Sequence, residues 1–251
     1  MEIKKEWYKA IKIRKSRRSY KNEKISKDKL NNVNNLIAEI NKESGLNIQL
    51  VENANKLLNG FKASYGMISG CNYLIAMVGK RNASNIKNTI GYYGEFIVLE
   101  CTNLELGTCW ICGSYNKKLC KESISLEEDD ELFCIVSLGI VNKEKNLKEK
   151  LIEKLSKNLK QPEELLIEKD KDIPEWVKLG LEAAAEAPSA LNRKPVGYAY
   201  LTDKIRIFVT KANHDYEEID LGISMAHFML GALEAGYFGT WKFEKREYFF
   251  Y

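Results

Sequence analysis

Apolar residues that recur every three or four positions predict several amphipathic helices along the chain. The first of these follows Ser26, a residue type that favours helix N-caps. Its buried face would consist of Leu30, Val33, Leu36, Ile37 and Ile40. Further helices are predicted at 91–106, 147–159, 174–187 and 220–236. Two of them, 91–106 and 220–236, are long and rich in small residues, which predicts close packing inside the protein.

Short apolar runs bounded by turn residues predict β-strands between these helices. The predicted strands are 47–51, 73–78, 132–141, 196–201 and 205–210. The stretch between 160 and 172 is interpreted as a connector across the surface. The aromatic end, 248–251, is interpreted as a strand edge or a tail packed on the core. The pattern as a whole predicts a mixed, α+β protein.

The order of these elements repeats, which predicts an internal duplication. Gly-Thr follows a long helix of small residues at 107–108 and again at 239–240, an offset of 132. The helix and strand within 25–51 have a counterpart about 149 residues later. We therefore predict two related halves, 1–145 and 146–251, packed as one compact unit.

Composition places the chain among ordinary globular proteins and excludes disordered and collagen-like classes. It has 251 residues, of which 45% are apolar and 29% charged, with a mean hydropathy of -0.37. The longest apolar run, Leu132 to Val141, is shorter than the roughly 18 residues of a membrane span. The Lys-rich start does not resemble a signal peptide. We expect a cytoplasmic protein with no membrane partner, reduced cysteines and no structural disulfide.

Positive charge is concentrated near the start of the chain. Residues 1–30 hold twelve Lys and Arg against four acidic residues, a net charge of +8, and the total of +4 leaves −4 for the remainder. A basic arm on an acidic body favours one specific anion, such as a phosphate, over a nucleic-acid partner. A solvated basic helix end is the alternative interpretation.

Two short motifs carry the candidate chemistry. Residues 14–20, RKSRRSY, gather guanidinium, ammonium and hydroxyl donors that could hold a phosphate; we name them the Arg-Ser segment. Residues 187–195, APSALNRKP, present Ser and Asn on an irregular loop held by two prolines; we name them the Pro-Ser loop. Alone, neither motif identifies a function.

Together with Leu106–Trp110, LGTCW, the two motifs resemble those of the flavin-dependent nitroreductase family. That family has R-x-S-x-R/K-x-F/Y near its start, A-P-S-x-x-N-x-Q-P at a helix end, and a turn similar to LGTCW after its long central helix. Arg14, Ser16, Arg18 and Tyr20 match the first motif. The Pro-Ser loop matches the second except at Lys194, where the family has a Gln that contacts the pyrimidine edge.

The resemblance implies a nitroreductase-like α+β fold, with mixed or antiparallel sheets flanked by helices. In ordinary members, the first motif of one subunit and the second motif of another meet at one flavin. Here each half keeps only one of the two motifs. The chain is therefore similar to the putative TM nitroreductase branch, in which a single chain forms a pseudo-twofold pseudo-dimer. This implies a monomer with one FMN.

The resemblance also implies which residues bind the cofactor. The phosphate and ribityl contacts would be Arg14, Lys15, Ser16, Arg18, Lys157 and Lys160. The pyrimidine edge would face Asn59 and Lys62, and the flavin N5 side would face backbone N–H groups of Ile111, Cys112 and Gly113. From the second half, the ring would meet Pro188, Ser189, Ala190 and Asn192.

Other kinds of site find less support. Only two histidines occur, so Ser-His hydrolase and His-ligated zinc chemistry have few residues available, and His227 is interpreted as a core residue. Cys109 and Cys112 form a C-x-x-C that could be a redox dithiol or half a metal site. Because the pair follows a predicted helix, it is interpreted as packing. No glycine spacing indicates a Rossmann or phosphate-loop site.

We therefore expect an FMN-dependent oxidoreductase that takes hydride from NADH or NADPH. The acceptor would be a nitro compound, a quinone or a similar small molecule. Because the flavin carries the chemistry, no side chain is assigned as acid, base or nucleophile, and no metal is expected. The alternative is a flavin-binding or scaffold protein that has lost turnover.

Overall fold

The computed structural model describes residues 1–58, 68–147, 149–151, 160–212 and 215–251. Its helices are α1 Glu6–Ile13, α2 Lys27–Ser44, α3 Asn55–Leu58, α4 Ile86–Asn103, α5 Lys117–Glu122, α6 Pro162–Leu165, α7 Glu175–Ala185 and α8 Glu217–Glu234. Its strands are β1 Gln49–Glu52, β2 Tyr73–Lys80, β3 Gly107–Ile111, β4 Asp130–Gly139, β5 Leu166–Lys169, β6 Val196–Leu201, β7 Lys204–Val209, β8 Trp241–Glu244 and β9 Glu247–Phe250. Among these residues, no helix has both the length and the apolar character needed to cross a membrane.

The chain divides into two compact units, and each unit draws on separate stretches of sequence. The first unit contains Met1, Ile13–Ile86 and Ile97–Ser156. The second unit contains Glu2–Lys12, Lys87–Phe96 and Lys157–Tyr251. The second unit therefore includes most of α1 and part of α4 in addition to the C-terminal part of the chain. Each unit has one sheet, so the fold is α+β as predicted.

The sheet of the first unit has the strand order β1-β2-β4-β3, and all neighbouring strands are antiparallel. β2 lies inside this sheet and is buried from Tyr73 to Gly79, which explains its continuous apolar sequence. In α2 the predicted face is buried, and the Ser26 side chain accepts a hydrogen bond from the Lys29 amide at 3.4 Å. The predicted helix at 26–40 and the strands at 73–78 and 132–141 are confirmed.

The sheet of the second unit has the order β5-β6-β7-β9-β8, in which only the β5–β6 pair is parallel. The aromatic C-terminus forms β9, which pairs with both β7 and β8, and Phe250 is fully buried. It is thus an interior strand of the sheet and not an edge strand. α8 packs against β6, β7 and α7.

Three strands were not predicted: β3, β5 and β8, the last of which pairs with β9. β3 was interpreted as the turn after a helix at 91–106, but α4 ends at Asn103, and Gly107–Ile111 pairs with β4 along its length. β5 lies in the stretch interpreted as a connector; its sequence, LIEK, is mostly exposed because it forms one edge of its sheet. β3 and β5 depend on a distant partner strand and not on an apolar pattern of their own.

Within the second unit, α4 and α8 meet backbone to backbone. A Cβ atom added to Gly222 would lie 2.0 Å from the Asn88 carbonyl oxygen, and one added to Gly91 would lie 2.1 Å from that of Ile219. Only glycine permits so close an approach. These two glycines therefore explain how α8 packs closely against this part of α4, as the small residues of both helices predicted.

Candidate functional site

The Arg-Ser segment runs beside the sheet of the first unit in an extended conformation. Ser16 forms a parallel bridge with Thr108 of β3, and the amide of Arg17 donates to the Thr108 carbonyl at 2.8 Å. Further along, the Tyr20 amide donates to the Ser69 carbonyl at 2.9 Å. The segment is therefore fixed at both ends, which holds its side chains at defined positions.

The arginines of this segment act electrostatically on a thiol of β3. Burial raises the pKa of Cys109, while the positive charges of Arg18 and Arg14 act in the opposite direction. Ser16 is half-buried and Lys15 is exposed. Two guanidinium groups, a hydroxyl and an exposed ammonium group form a donor set that suits a phosphate.

Arg17, in the middle of the segment, has a different environment. Its side chain is 8% exposed and that of Glu149 is 2% exposed. The Arg17 Nε atom donates to Glu149 Oε1 at 3.2 Å, and another guanidinium nitrogen donates to the Asn142 carbonyl at 2.8 Å. The same carboxylate oxygen accepts the amide N–H groups of Arg18 at 2.7 Å and Ser19 at 3.2 Å. Glu149 therefore anchors the backbone of the Arg-Ser segment.

Glu149 stays ionised despite its burial. Burial acts to raise its pKa, but hydrogen bonds from the Arg18 amide, the Arg17 guanidinium and the Asn146 amide hold the pKa below its usual value. This anchor was missed in the sequence, because Glu149 is one of many alternating Lys and Glu residues around 142–172. No spacing or composition signal distinguishes it from its neighbours.

The segment following β3 differs from its prediction in one respect. Ile111 is the last residue of β3, and Cys112 and Gly113 form the bend after it. Cys109 therefore lies on a strand, and the C-x-x-C does not directly follow a helix as the sequence suggested. The next helix, α5, begins at Lys117. All six cysteines of the chain are free thiols, and five of them are buried.

The Pro-Ser loop of the second unit has an unusual backbone. Leu191, Asn192 and Lys194 have positive φ angles of 52°, 54° and 50°. Non-glycine residues seldom adopt this left-handed conformation, and it persists only where surrounding contacts enforce it. The Ser189 hydroxyl supplies one such contact by accepting the Lys194 amide at 2.9 Å.

Two lysines donate to carbonyl groups of this loop. The Lys194 ammonium group donates to the carbonyls of Ala185 at 2.7 Å and Ala187 at 2.5 Å. The Lys160 ammonium group donates to the Lys194 carbonyl at 2.8 Å, and burial lowers the pKa of Lys160. Lys160, which the family resemblance places at the phosphate, thus contacts the Pro-Ser loop. Pro188, Ser189, Ala190 and Asn192 are half-buried.

Three further residues implied by the family resemblance, Asn59, Lys62 and Lys157, lie outside the described residues. So does His214. His227 is fully buried and bonded on both ring nitrogens, so its interpretation as a core residue is confirmed.

A cluster of carboxylates in the first unit is closed by a lysine. Glu127, Asp129 and Asp130 bring their oxygens within 4.8 Å of one another. The Lys80 ammonium group lies 2.5, 2.7 and 3.1 Å from these three carboxylates in turn. Their proximity raises the pKa of Lys80 well above its usual value. The cluster is thus an ion-pair network whose central cation belongs to the protein.

Comparison with known proteins gives one family and one fold. The model of a family described as "Putative TM nitroreductase" matches residues 6–232. A search of curated proteins finds no match. The crystal structure of a putative nitroreductase from Thermotoga maritima is similar at 20% identity and a TM-score of 0.65, covering 97% of this chain and 92% of that one.

Two further structures are similar to only part of this chain. An FMN-dependent nitroreductase from Clostridium difficile is 20% identical with a TM-score of 0.46, covering 55% of this chain and 88% of that one. A nitroreductase with bound FMN from Bacteroides fragilis is 21% identical with a TM-score of 0.43. The match covers 56% of this chain and 94% of that one. The Thermotoga structure, which is matched over its length, establishes that the fold is nitroreductase-like.

Proposed function

We propose that this chain, which belongs to the putative TM nitroreductase family, is an FMN-dependent oxidoreductase. It would take hydride from NADH or NADPH and pass it to a nitro compound, a quinone or a similar acceptor. The observation that carries the proposal is the Arg-Ser segment, whose cationic and hydroxyl side chains extend from a backbone that β3 and Glu149 hold in place.

The residues present fit FMN in charge and in donor type. The phosphate and ribityl chain would be held by Arg14, Lys15, Ser16 and Arg18 of the first unit, with Lys157 and Lys160 as further basic groups. Pro188, Ser189, Ala190 and Asn192 of the Pro-Ser loop would line the ring, and Asn59 and Lys62 its pyrimidine edge. The assignment of both motifs to one flavin rests on the family resemblance.

Bound FMN would supply the hydride chemistry, so the protein needs no acid or base of its own. The side chains of the Arg-Ser segment would neutralise the phosphate and fix its position. Backbone N–H groups at the end of β3, from Ile111, Cys112 and Gly113, would donate toward the part of the ring where negative charge grows on reduction. The Pro-Ser loop would orient the ring and leave one face open.

FMN affinity tests the proposal. Arg14→Ala removes a charge-assisted bond worth about 1.5–3 kcal/mol, so we expect FMN to bind roughly 10 to 150 times more weakly. Asn192→Ala removes a neutral ring contact, and a smaller loss of about 2- to 10-fold is expected. Fluorescence titration of FMN measures both.

Arg81→Ala is the matched control, since Arg81 is an exposed arginine of the first unit paired with Glu131 at 3.7 Å. It should bind FMN like the wild type. If Arg14→Ala bound FMN no more weakly than Arg81→Ala, the Arg-Ser segment would not be a phosphate site. If Asn192→Ala left the affinity unchanged, the Pro-Ser loop would not belong to the same flavin.

The C-x-x-C pair is expected to be dispensable for electron transfer. Burial raises the pKa of Cys109, so its thiol stays protonated at neutral pH and is a poor nucleophile. Replacing Cys109 and Cys112 with Ser should leave flavin reduction by NAD(P)H within about tenfold of wild type, a change in barrier of about 1.4 kcal/mol. Bleaching of the flavin absorbance in a stopped-flow instrument measures this rate. A loss of a thousandfold with flavin still bound would identify a redox dithiol instead.

A further inference from the structure

The Pro-Ser loop contains a buried ammonium group that its family resemblance does not explain. Lys194 is 8% exposed and stands where the family has Gln. Its Nζ atom is held by the carbonyls of Ala185, the last residue of α7, and Ala187. A cation at this position is favoured because helix C-termini carry partial negative charge and unpaired carbonyl groups. The side chain thus fastens the loop to the end of α7.

A carboxylate fastens the same loop from α8. Asp220, in the first turn of that helix, is 4% exposed, and its two oxygens accept the Ala190 amide at 3.0 and 3.1 Å. Burial raises the pKa of Asp220 to about 7, Glu217 acts in the same direction, and Lys194 acts to lower it. Lys194 and Asp220 therefore fasten the loop to two different helices, α7 and α8.

The backbone between these two anchors is strained. Leu191 and Asn192, which follow the Asp220 contact, and Lys194 itself all have positive φ angles. Such a conformation requires external support, and the hydrogen bonds of Asp220 and Lys194 supply it at either end of the strained stretch. Without one of them, the loop would relax toward commoner backbone conformations.

We propose that Lys194 and Asp220 are positioning residues that together fix the Pro-Ser loop in its ring-binding conformation, and that the Lys194 side chain is not a flavin contact. This inference rests on the proposed function, because it takes the loop to meet the FMN ring. Where the family has Gln, this chain thus has a side chain that stiffens the loop.

Three variants and one control test this inference on the full chain. Lys194→Met keeps an apolar stem and removes the ammonium group. Lys194→Gln installs the family residue, which is too short to span both carbonyls. Asp220→Asn keeps the shape and replaces one of the two oxygens that accept the Ala190 amide with an NH2 group. Lys171→Met, which breaks an exposed ion pair with Asp203 in the same unit, is the control.

Three readouts separate a positioning role from a general loss of stability. Hydrogen exchange of residues 187–195, followed by mass spectrometry, should accelerate at least tenfold in Lys194→Met and Asp220→Asn. FMN should bind at least tenfold more weakly to both. The visible circular dichroism of bound FMN should change, since it reports the surroundings of the ring. The control should match the wild type in all three.

The outcomes are distinct. Faster loop exchange with unchanged FMN affinity and dichroism would overturn the positioning role, and so would unchanged exchange in all three variants. Tighter FMN binding by Lys194→Gln would show that position 194 acts at the ring. Should Lys194→Met fail to fold, Lys194→Gln and Asp220→Asn still decide the matter. Wild-type protein that binds no FMN would contradict the proposed function itself, and with it the role of the loop toward the ring.

Discussion

Glu149→Gln is expected to destabilise the folded chain by about 3–5 kcal/mol, the cost of leaving one partner of a buried ion pair without the other. Arg17 would keep its charge in a site that is almost closed to water. The amide that replaces the carboxylate has only one accepting oxygen. If that oxygen keeps the Arg18 and Ser19 amides, the NH2 group faces the donors on Arg17 and the Asn146 amide. Urea denaturation at neutral pH measures the loss.

Glu144→Gln is the matched control for this variant. Glu144 lies five positions earlier and carries the same charge, but its side chain is 89% exposed and pairs only with Lys150 at 3.7 Å in the described structure. Its substitution should change stability by no more than about 0.5 kcal/mol. Equal losses in the two variants would show that Glu149 does not anchor the Arg-Ser segment.

Lowering the pH should reduce the difference in folding stability between Glu149→Gln and the wild type. Because the pKa of Glu149 is lower in the folded chain than in the unfolded chain, its ionisation stabilises the fold at every pH above its ordinary value. That contribution is lost as the pH falls through the lowered pKa. The wild-type advantage should therefore be full at neutral pH and should shrink below about pH 4.

His227→Leu is expected to cost about 3–5 kcal/mol for a similar reason. The imidazole Nδ1 atom lies 2.9 Å from the Ala183 carbonyl and Nε2 lies 3.0 Å from Glu95 Oε1, with both side chains fully buried. Since a carbonyl only accepts, Nδ1 carries a proton, and a second proton lies between Nε2 and the carboxyl group. Removing the imidazole leaves Glu95 buried without this partner.

The double variant Glu95→Leu/His227→Leu should recover most of that loss. Apolar residues of similar size often replace a buried pair at little cost, and the Ala183 carbonyl keeps the amide of Glu186 as a donor at 3.1 Å. Denaturation of the single and double variants gives the coupling energy. A double variant that is less stable than His227→Leu alone would contradict the account of this pair.

The sequence predicted best those elements that carry their own signal. α2 shows a complete apolar face and a serine cap, and β2 and β4 are continuous apolar runs in the interior of a sheet. Burial and local pattern agree in these elements, so each can be recognised alone. The Arg-Ser segment and the Pro-Ser loop were found because their residue types are unusual in combination.

The rest depends on partners distant in the sequence. β3 is a strand because β4 pairs with it, and β5 because β6 does. Glu149 contacts residues more than one hundred positions away, and nothing around it distinguishes it from neighbouring charges. The sequence shows that Lys194 differs from the family residue. Its role becomes clear only from the carbonyl groups of Ala185 and Ala187, which the structure places around its ammonium group. Single-sequence patterns contain no information on such contacts.

The amount of FMN bound per chain shows whether the chain forms one flavin site. The purified protein is heated, and the released flavin is identified by chromatography and compared with the protein concentration. We expect FMN and not FAD, at one flavin per chain, in a protein that needs no second copy to bind it. Colourless protein that takes up no added FMN at micromolar concentration, or a titration that ends at two flavins per chain, would contradict this expectation.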